Sequence, residues 1–245
     1  QITLEEHNVE QWECPTGATI FFDPGRRQAN RRIFDPRDYQ PPLSTLETWL
    51  PRAHGIGVKV APGIDYDRLP WGTCEVEIVS LGGEVKEAIL WFGDLARGKR
   101  TATVLPAGVS LSFMPTPPIN VRPPRGFLYE PDGAVIRAHL VEQLAADLSA
   151  TKIDAEIAFL SSDNQVETPF ARSYRVDEVM PFNLKRLRQW LREHGIGHVI
   201  VKKRGSPIDP QALEHQLRPQ GPHAAVLVLT HVLGKPVVIV CDVTD

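Results

Sequence analysis

The apolar positions of this chain form short runs separated by turn residues. One run covers 19–22 and stops at Asp23, and a second covers 56–61. Continuous apolar runs of this length, bounded by turn residues, are typical of buried strands. Ser44 and Gly55 flank the segment between the two runs, and such residues often begin and end helices. The order strand, helix, strand predicts an α/β fold.

The pattern continues with further elements and with a proline-rich segment. Six prolines between 106 and 124 lock extended backbone, so this segment is interpreted as a linker. We therefore expect three regions: 1–115, 116–172 and 173–245. The other predicted elements are strands at 75–81, 87–92, 100–105, 155–160 and 198–201, a helix opened by Pro131 and continuing to Leu148, helices at 182–194 and 209–217, and a hairpin of 224–230 with 237–241.

Composition narrows the class of protein. The 245 residues are 42% hydrophobic and 23% charged, which is typical of a globular protein with a sizeable core. The net charge of -3 excludes an even positive coating for nucleic acid, but it leaves room for a local basic patch. The three cysteines have no paired spacing, which favours a reducing, cytoplasmic location. No apolar run is long enough to span a bilayer, so no membrane partner is expected.

The strand ends carry the first candidate site. Asp23 directly follows a strand and Pro24 fixes the backbone beside it, so this carboxylate could accept a hydrogen bond from an amine or hydroxyl in a crevice. Arg27 belongs to an arginine cluster suited to phosphate or carboxylate, and Lys59 lies near the end of the second strand. Each also has a structural alternative: a turn for Asp23, a solvated loop for Arg27 and an inward-facing salt bridge for Lys59.

Positive charge is concentrated towards the end of the chain. Residues 183–218 hold eight lysines and arginines against three acidic residues. This concentration of positive charge has two alternative interpretations, a contact with nucleic acid or an ordinary solvated face. The candidate nucleic-acid contacts are Lys185, Arg188 and Arg192 on one predicted helix, and Lys202, Lys203 and Arg204 after a predicted strand.

Other motifs point to structure rather than chemistry. His194 and His198 are four residues apart, but the glycines between them prevent a helix from presenting both to a metal, so no metal is expected. Gly82-Gly83 is interpreted as a hairpin turn in preference to a ligand loop. Neither a phosphate-binding loop nor a hydrolase nucleophile motif is present.

Several motifs resemble those of one family and occur in the same order along nearly the whole chain. They are Phe22 to Arg27, Val58 to Gly63, Glu77 to Glu84, Tyr129 to Pro131 and Lys202 to Gly205. Together they resemble bacterial class I S-adenosylmethionine-dependent methyltransferases that carry a C-terminal THUMP-like domain. The resemblance implies a partial Rossmann-like methyltransferase sheet followed by a small α/β THUMP-like domain.

The resemblance also implies functions for the candidate residues. It places Asp23 and Pro24 beside the methyl acceptor, and it implies that the basic tail binds RNA, with tRNA as the expected type. The enzyme hypothesis then assigns Arg27 and Lys59 to the same crevice. Arg26 stands where better-known members have an aromatic residue, which argues against direct methylation of the amino group of a stacked base.

The family's glycine-rich cofactor turn has no counterpart in 1–17. We therefore expect weak or no binding of S-adenosylmethionine and little activity from these residues, because methyl transfer needs donor and acceptor held in line. An open sheet edge could then cause self-association. The alternative function is a non-catalytic RNA-binding module.

Overall fold

The computed structural model describes residues 3–25, 27–28, 31–32, 35 and 38–243, without the side chains of 27, 28, 31, 32 and 67. The chain forms two compact units. The N-terminal unit consists of residues 1–114 and 133–140, and the C-terminal unit consists of residues 115–132 and 141–245. None of the helices formed by the described residues has the length and apolarity needed to cross a bilayer.

The N-terminal unit is built on one large sheet and short helices. Its strands are β1 (Thr19–Phe22), β2 (Arg27–Gln28), β3 (Arg31–Arg32), β4 (Gly55–Val60), β5 (Glu75–Leu81), β6 (Glu84–Gly93), β7 (Arg100–Leu105) and β8 (Val109–Ser112), its helices are α1 (Leu46–Trp49) and α2 (Gly133–Arg137), and 3-10 turns lie at Leu43–Thr45 and Tyr66–Arg68.

The strand order of the large sheet is β1-β4-β6-β5-β7-β8. The pairs β1 with β4 and β5 with β7 are parallel, whereas β6 runs antiparallel between β4 and β5. The sheet is therefore mixed in its interior as well as at its β8 edge. Gly82 and Gly83, both with positive φ, form the tight turn that joins β5 to β6, and such a turn connects antiparallel neighbours. The hairpin interpretation of this pair is confirmed.

The two faces of this sheet differ in chemistry because side chains alternate along each strand. One face is apolar and buried, and it includes Ile56, Val58 and Leu90, which are at most 1% exposed. The other face carries polar and aromatic side chains, among them Glu77 and Trp91, whose indole Nε1 donates to Oε2 of Glu77 at 2.8 Å. The apolar face therefore forms the core of the N-terminal unit.

The helix predicted between Ser44 and Gly55 is much shorter than expected. Ser44 lies within a 3-10 turn rather than at a helix N-cap, and α1 is only four residues long. Pro51 directly follows the C-cap Leu50 and has no backbone N–H, so it cannot donate the next hydrogen bond of the helix to the carbonyl oxygen of Glu47. Gly55 begins β4 instead of ending a helix.

The C-terminal unit is built on one seven-stranded sheet. Its order is β10-β11-β9-β12-β15-β14-β13, in which only β13 and β14 pair in parallel among the described strands. Its strands are β9 (Phe127–Pro131), β10 (Thr151–Lys152), β11 (Leu160–Ser162), β12 (Ala171–Pro181), β13 (Ile196–Lys203), β14 (His223–Val232) and β15 (Lys235–Asp242), and its helices are α3 (Val141–Asp147), α4 (Leu184–Glu193) and α5 (Pro210–Leu217).

Helices α4 and α5 begin with side-chain caps. Asn183 accepts a hydrogen bond from the backbone N–H of Arg186 at 3.0 Å, and Asp209 accepts one from Ala212 at 2.8 Å. Each cap satisfies a backbone donor that has no partner within its own helix. Both helices pack on the sheet through buried leucines, including Leu187 of α4, so the two helices predicted here are confirmed.

Two other predictions were wrong. Pro131 ends β9 instead of opening a helix, and the helical pattern that follows splits into α2 and α3, because His139 between them adopts a left-handed φ of 56°. Most of the strand expected at 155–160 is irregular backbone, preceded by Asp154, whose carboxylate accepts a hydrogen bond from the backbone N–H of Glu156 at 3.0 Å. The strand β11 begins at Leu160 instead.

Candidate functional site

The strand ends of the N-terminal unit bring Asp23 and Lys59 together. Strands β1 and β4 are parallel neighbours with Phe22 opposite Val58, so the next residue of each strand lies at the same edge. Lys59 Nζ is 3.4 Å from Asp23 Oδ2 and 3.1 Å from Glu87 Oε2 on β6. The hydrogen bond with Glu87 is the main cause that raises the pKa of Lys59. Lys59 therefore forms a salt bridge, which was the structural alternative to a ligand contact. That Lys59 also contacts a ligand remains a prediction.

The loop after Asp23 is closed at its base. Gly25 and Gln40 exchange two backbone hydrogen bonds, of 2.7 and 3.1 Å. Tyr39 is 1% exposed, and its hydroxyl accepts a hydrogen bond from the backbone N–H of Ala61 at 3.1 Å. These contacts attach the end of the loop to the end of β4. Pro24 is buried at the start of the loop.

The first two arginines of this loop cannot be placed beside Asp23 and Lys59. Arg26 is outside the described residues, and so is the side chain of Arg27, although its backbone forms part of β2. Asp23 itself is half exposed, with 53% of its side chain accessible. Its carboxylate is therefore held by Lys59 at the strand end and remains open to an incoming group.

A cleft lies beside the carboxyl end of β4, where the Ala61–Arg68 segment runs. It has a volume of about 620 Å³, and its walls include Leu43, Ile64, Leu69 and Trp71. The indole Nε1 of Trp71 is buried and has no hydrogen-bond partner among the described residues. A buried N–H without a partner is energetically unfavourable, so a group that accepts from it would be stabilised in this cleft.

Arg137 of α2 holds the backbone that forms this cleft. Its guanidinium donates through Nε to the carbonyl oxygen of Pro62 and through Nη2 to that of Ile64 at 2.9 Å. Tyr66 Oη returns a hydrogen bond to the Arg137 carbonyl at 2.6 Å, and the guanidinium lies 5.7 Å from the Tyr66 ring centroid. Arg137 therefore acts as a positioning residue for the segment after β4.

The candidate cations of the C-terminal unit lie on separate surfaces. Lys185, Arg188 and Arg192 share one side of α4 at spacings of three and four residues. Within this row, Lys185 and Arg192 are exposed, and Arg188 donates to the carbonyl oxygen of Gln216 on α5. Lys203 is exposed at the end of β13. We call Lys185, Arg188 and Arg192 the α4 basic row.

Lys202 and Arg204 are engaged elsewhere in the C-terminal unit. Lys202 Nζ lies 2.5 Å from Glu130 Oε2, which also accepts from Tyr174 Oη at 3.1 Å. Burial opposes the charge on Lys202, but the hydrogen bond and ion pair with Glu130 outweigh it and raise the pKa of Lys202. The guanidinium of Arg204 lies 5.4 Å from the centroid of the Phe159 ring. The six candidate cations are therefore not one continuous patch.

A family model described as "THUMP domain-like" matches residues 171–243, from the start of β12 to the end of β15. Residues 171–243 are a THUMP-like domain. The resemblance predicted from the sequence motifs is confirmed by this match and by the relatives of the chain. The α4 basic row belongs to the THUMP-like domain.

The relatives extend over both units. Two proteins of Mycobacterium tuberculosis, from strains H37Rv and CDC 1551, are 37% identical over 222 residues. Each is named an uncharacterized S-adenosylmethionine-dependent methyltransferase, and the match covers 88% of this chain and 60% of the relative. The crystal structure of a "putative methyltransferase" from Porphyromonas gingivalis W83 superposes with a TM-score of 0.74 at 22% identity, over 93% of this chain and 60% of that one.

These comparisons confirm the predicted fold class, a methyltransferase-like α/β sheet with a THUMP-like domain. They also show that the chain spans about three fifths of the length of the relatives that it matches. The activity, substrate and partners of a whole protein of that length are therefore matters for proposal.

The described residues do not fit a complete site for S-adenosylmethionine. Phosphate-type and nucleoside-type cofactors are commonly bound where a glycine-rich turn leads from a strand into a helix. In the described part of the chain, no turn from a strand into a helix carries more than one glycine. Nor do the described residues place three or more His, Cys, Asp or Glu side chains where they could hold a metal ion.

Three residues of the N-terminal unit were missed by the sequence analysis: Tyr39, Trp71 and Arg137. Tyr39 and Trp71 are aromatic residues in the long segments that follow β1 and β4, and a search of the whole of those segments for aromatic residues would have found them. Arg137 had no such signal, because its partners are backbone carbonyls 73 and 75 positions away in sequence.

Proposed function

We propose that this chain is the acceptor-side part of an S-adenosylmethionine-dependent methyltransferase that acts on RNA, with tRNA as the expected type. The observation that carries the proposal is the strand-end arrangement, in which Asp23 meets Lys59 at the carboxyl ends of two parallel strands. Ligands of open α/β sheets bind at this edge. The relatives named S-adenosylmethionine-dependent methyltransferases support the choice of reaction.

In this proposal each unit has its own task. Asp23 accepts a hydrogen bond from the acceptor group, and Lys59 holds the Asp23 carboxylate in place through their ion pair. Arg137 and Tyr39 hold the two segments that border the crevice. The bound cofactor would supply the methyl group, and its site is not completed by the described residues.

We also propose that the THUMP-like domain docks the RNA through phosphate contacts. Lys185 and Arg192 support this, because both are exposed and lie on the same side of α4. Lys202 is a weaker candidate, since Glu130 already neutralises it. Phosphate contacts position an RNA without reading its sequence, so this surface would supply affinity more than specificity.

The RNA-binding part can be tested by its salt dependence. Replacing Lys185 and Arg192 by Gln removes two cations, and each lost phosphate contact lowers the slope of log K against log salt by about 0.7 to 0.9. We expect fluorescence anisotropy with tRNA to give a slope smaller by about 1.4 to 1.8 for the double variant. Lys235→Gln, which removes an exposed cation of the same domain from the β14–β15 turn, is the control. Equal slopes for all three proteins would contradict the proposed surface.

Calorimetry tests the cofactor site, and the Asp23→Asn variant separates the enzyme part from the alternative, a non-catalytic RNA-binding module. We expect no micromolar binding of S-adenosylmethionine by this chain. Micromolar binding would contradict the view that the described residues lack a complete cofactor site. Salt-dependent tRNA binding without any contribution of Asp23, tested with Asp23→Asn, would favour the binding module.

A further inference from the structure

The cleft beside the carboxyl end of β4 has the size and the position of a ligand site. Its volume of about 620 Å³ lies within the range of about 300 to 1,000 Å³ that is typical of small-ligand sites. Its walls come from the segments that follow the parallel strands β1 and β4, the edge at which ligands of α/β sheets bind. Leu43, Ile64 and Leu69 supply apolar walls. The identity of the ligand depends on the other lining residues.

Trp71 gives this cleft an aromatic wall that has no partner ring. The residue is partly exposed, but its Nε1 atom is buried, so the accessible part of Trp71 lies away from the nitrogen. Among the described residues, no other aromatic ring and no cation lies against the Trp71 indole. The bases of nucleic acids stack on such rings, because every base has a flat π face. A planar heteroaromatic ring therefore suits this wall.

The charged lining residues decide which part of a nucleotide can enter. The lining includes the carboxylates of Asp35, Glu47 and Asp65 and one guanidinium, that of Arg68, whose Nε lies 3.4 Å from Asp65 Oδ2. This excess of negative charge repels a phosphate group. Carboxylates only accept hydrogen bonds, so the lining instead favours an uncharged ring that carries N–H donors.

Glu47 on α1 is the carboxylate that is open to such a donor. It is exposed, and within the part of the chain that the structure describes its carboxylate forms neither a hydrogen bond nor an ion pair. Asp65 differs, because Arg68 already pairs with it. A hydrogen bond to a carboxylate is charge-assisted and about twice as strong as one between neutral groups. Glu47 can therefore select a ring by its N–H donors.

We propose that this cleft holds an unpaired nucleobase that carries an amino group. The base stacks on Trp71, and its amino group donates to the carboxylate of Glu47. Adenine, cytosine and guanine carry such a group, whereas uracil does not. Two sources offer this chemistry, an RNA strand and a free nucleoside, and the RNA source rests on the proposed function.

The test uses the whole chain with cytidine and with pyrimidin-2-one riboside, two nucleosides that differ only in the amino group of the base. The indole N–H resonance of Trp71, assigned through Trp71→Phe, reports binding, because a base stacked on the ring shifts this resonance. We expect cytidine to bind at least about fivefold more tightly, the effect of one hydrogen bond to a charged acceptor. No shift of the Trp71 resonance with cytidine up to about 10 mM, or equal affinities for the two nucleosides, would overturn the proposal.

Two variants separate stacking from hydrogen bonding, with saturation-transfer NMR signals of the nucleoside as the measure of affinity. Trp71→Leu should weaken cytidine binding at least about fivefold, because it removes the stacking surface. Glu47→Ala should reduce the preference for cytidine over pyrimidin-2-one riboside to less than about twofold. The matched control is Glu142→Ala, which removes an exposed glutamate from α3 and should keep the preference. If thermal unfolding shows that Trp71→Leu is not folded, Glu47→Ala at its exposed position decides, and an unchanged preference in that variant overturns the proposal.

A four-nucleotide cytidylate identifies the source of the base. Tighter binding of this oligonucleotide than of cytidine, measured at the Trp71 resonance, would indicate an RNA strand, and the reverse order would indicate a free nucleoside. A failure of the proposed RNA docking appears separately, in the salt dependence of the Lys185 and Arg192 variants. Salt-dependent binding of tRNA combined with no response of Trp71 to cytidine or to the oligonucleotide would overturn this inference alone.

Discussion

Arg137 gives the most direct test of how the strand-end crevice is held. The change Arg137→Met keeps most of the aliphatic length of the side chain and removes the guanidinium. That group donates to the carbonyl oxygens of Pro62 and Ile64 and lies against the ring of Tyr66. The variant therefore loses two charge-assisted hydrogen bonds and one cation–π contact without a large cavity.

The magnitude follows from these contacts. A hydrogen bond from a charged group contributes about 1.5 to 3 kcal/mol, and an exposed cation–π contact about 0.5 to 1 kcal/mol. Arg137 is only partly buried, so water can replace some of these bonds in the variant. We therefore expect a loss of about 2 to 4 kcal/mol in the free energy of unfolding of the N-terminal unit.

Urea unfolding followed by tryptophan fluorescence measures this loss, because four of the five tryptophans lie in the N-terminal unit: Trp12, Trp49, Trp71 and Trp91. The matched control is Arg68→Met on the same segment. Arg68 is 87% exposed in its side chain and pairs with Asp65 at 3.4 Å, so its loss should change stability by less than about 0.5 kcal/mol. A change for Arg137→Met no larger than that of the control would refute the positioning role.

Two further predictions concern the cores of the two units. Asp154 is 6% exposed, and its carboxylate accepts a hydrogen bond from the backbone N–H of Gly234 at 2.7 Å. This hydrogen bond is the main cause that lowers the pKa of Asp154. We therefore expect Asp154→Asn to lower the free energy of unfolding by about 1 to 2 kcal/mol at pH 7. A carboxyl group whose pKa is lowered by folding stabilises the folded state at pH values above its unfolded pKa of about 3.9. The difference in free energy of unfolding between the wild type and Asp154→Asn, measured by urea unfolding, should therefore shrink as the pH falls below about 4. A difference that stays constant would contradict this prediction. In Gly57→Ala the new Cβ would lie 2.4 Å from Cζ3 of Trp91, so we expect a loss of about 1 to 3 kcal/mol in thermal or urea unfolding. Gly63→Ala is its control, because nothing lies within 4 Å of that Cβ, and equal effects would contradict the packing argument.

Much of the fold could be predicted because its signals are local. The apolar run of β1 ends at Asp23, the caps Asn183 and Asp209 begin α4 and α5, and two glycines form the β5–β6 turn. Each of these signals acts within a few residues of its effect. The prediction of helix from Pro131 to Leu148 was wrong because a single left-handed residue, His139, interrupts a pattern that is otherwise helical.

The candidate site of the N-terminal unit could be predicted only in part. Asp23 follows β1 and Lys59 lies near the end of its parallel neighbour β4, so their approach follows from strand order alone. Glu87 completes the ion pair from β6, and its place beside Lys59 depends on an antiparallel strand inside the sheet. That arrangement has no signal near Glu87 in the sequence, because it depends on the pairing of β6 with β4, a strand that is distant along the chain.

The basic tail shows why the number of charged residues in a stretch of sequence does not tell how much charge lies on one surface. Lys202 and Lys203 are adjacent in sequence, but successive side chains of a strand point to opposite faces. Lys202 therefore meets Glu130 on the face of Tyr174, while Val199 and Val201 pack with the core on the side of α4. On a helix the same count is more reliable, since residues three or four apart share a side. The proposed affinity of the THUMP-like domain for RNA should accordingly depend more on each exposed cation of the α4 basic row than on Lys202, although each of these residues counts equally in the charge of the tail.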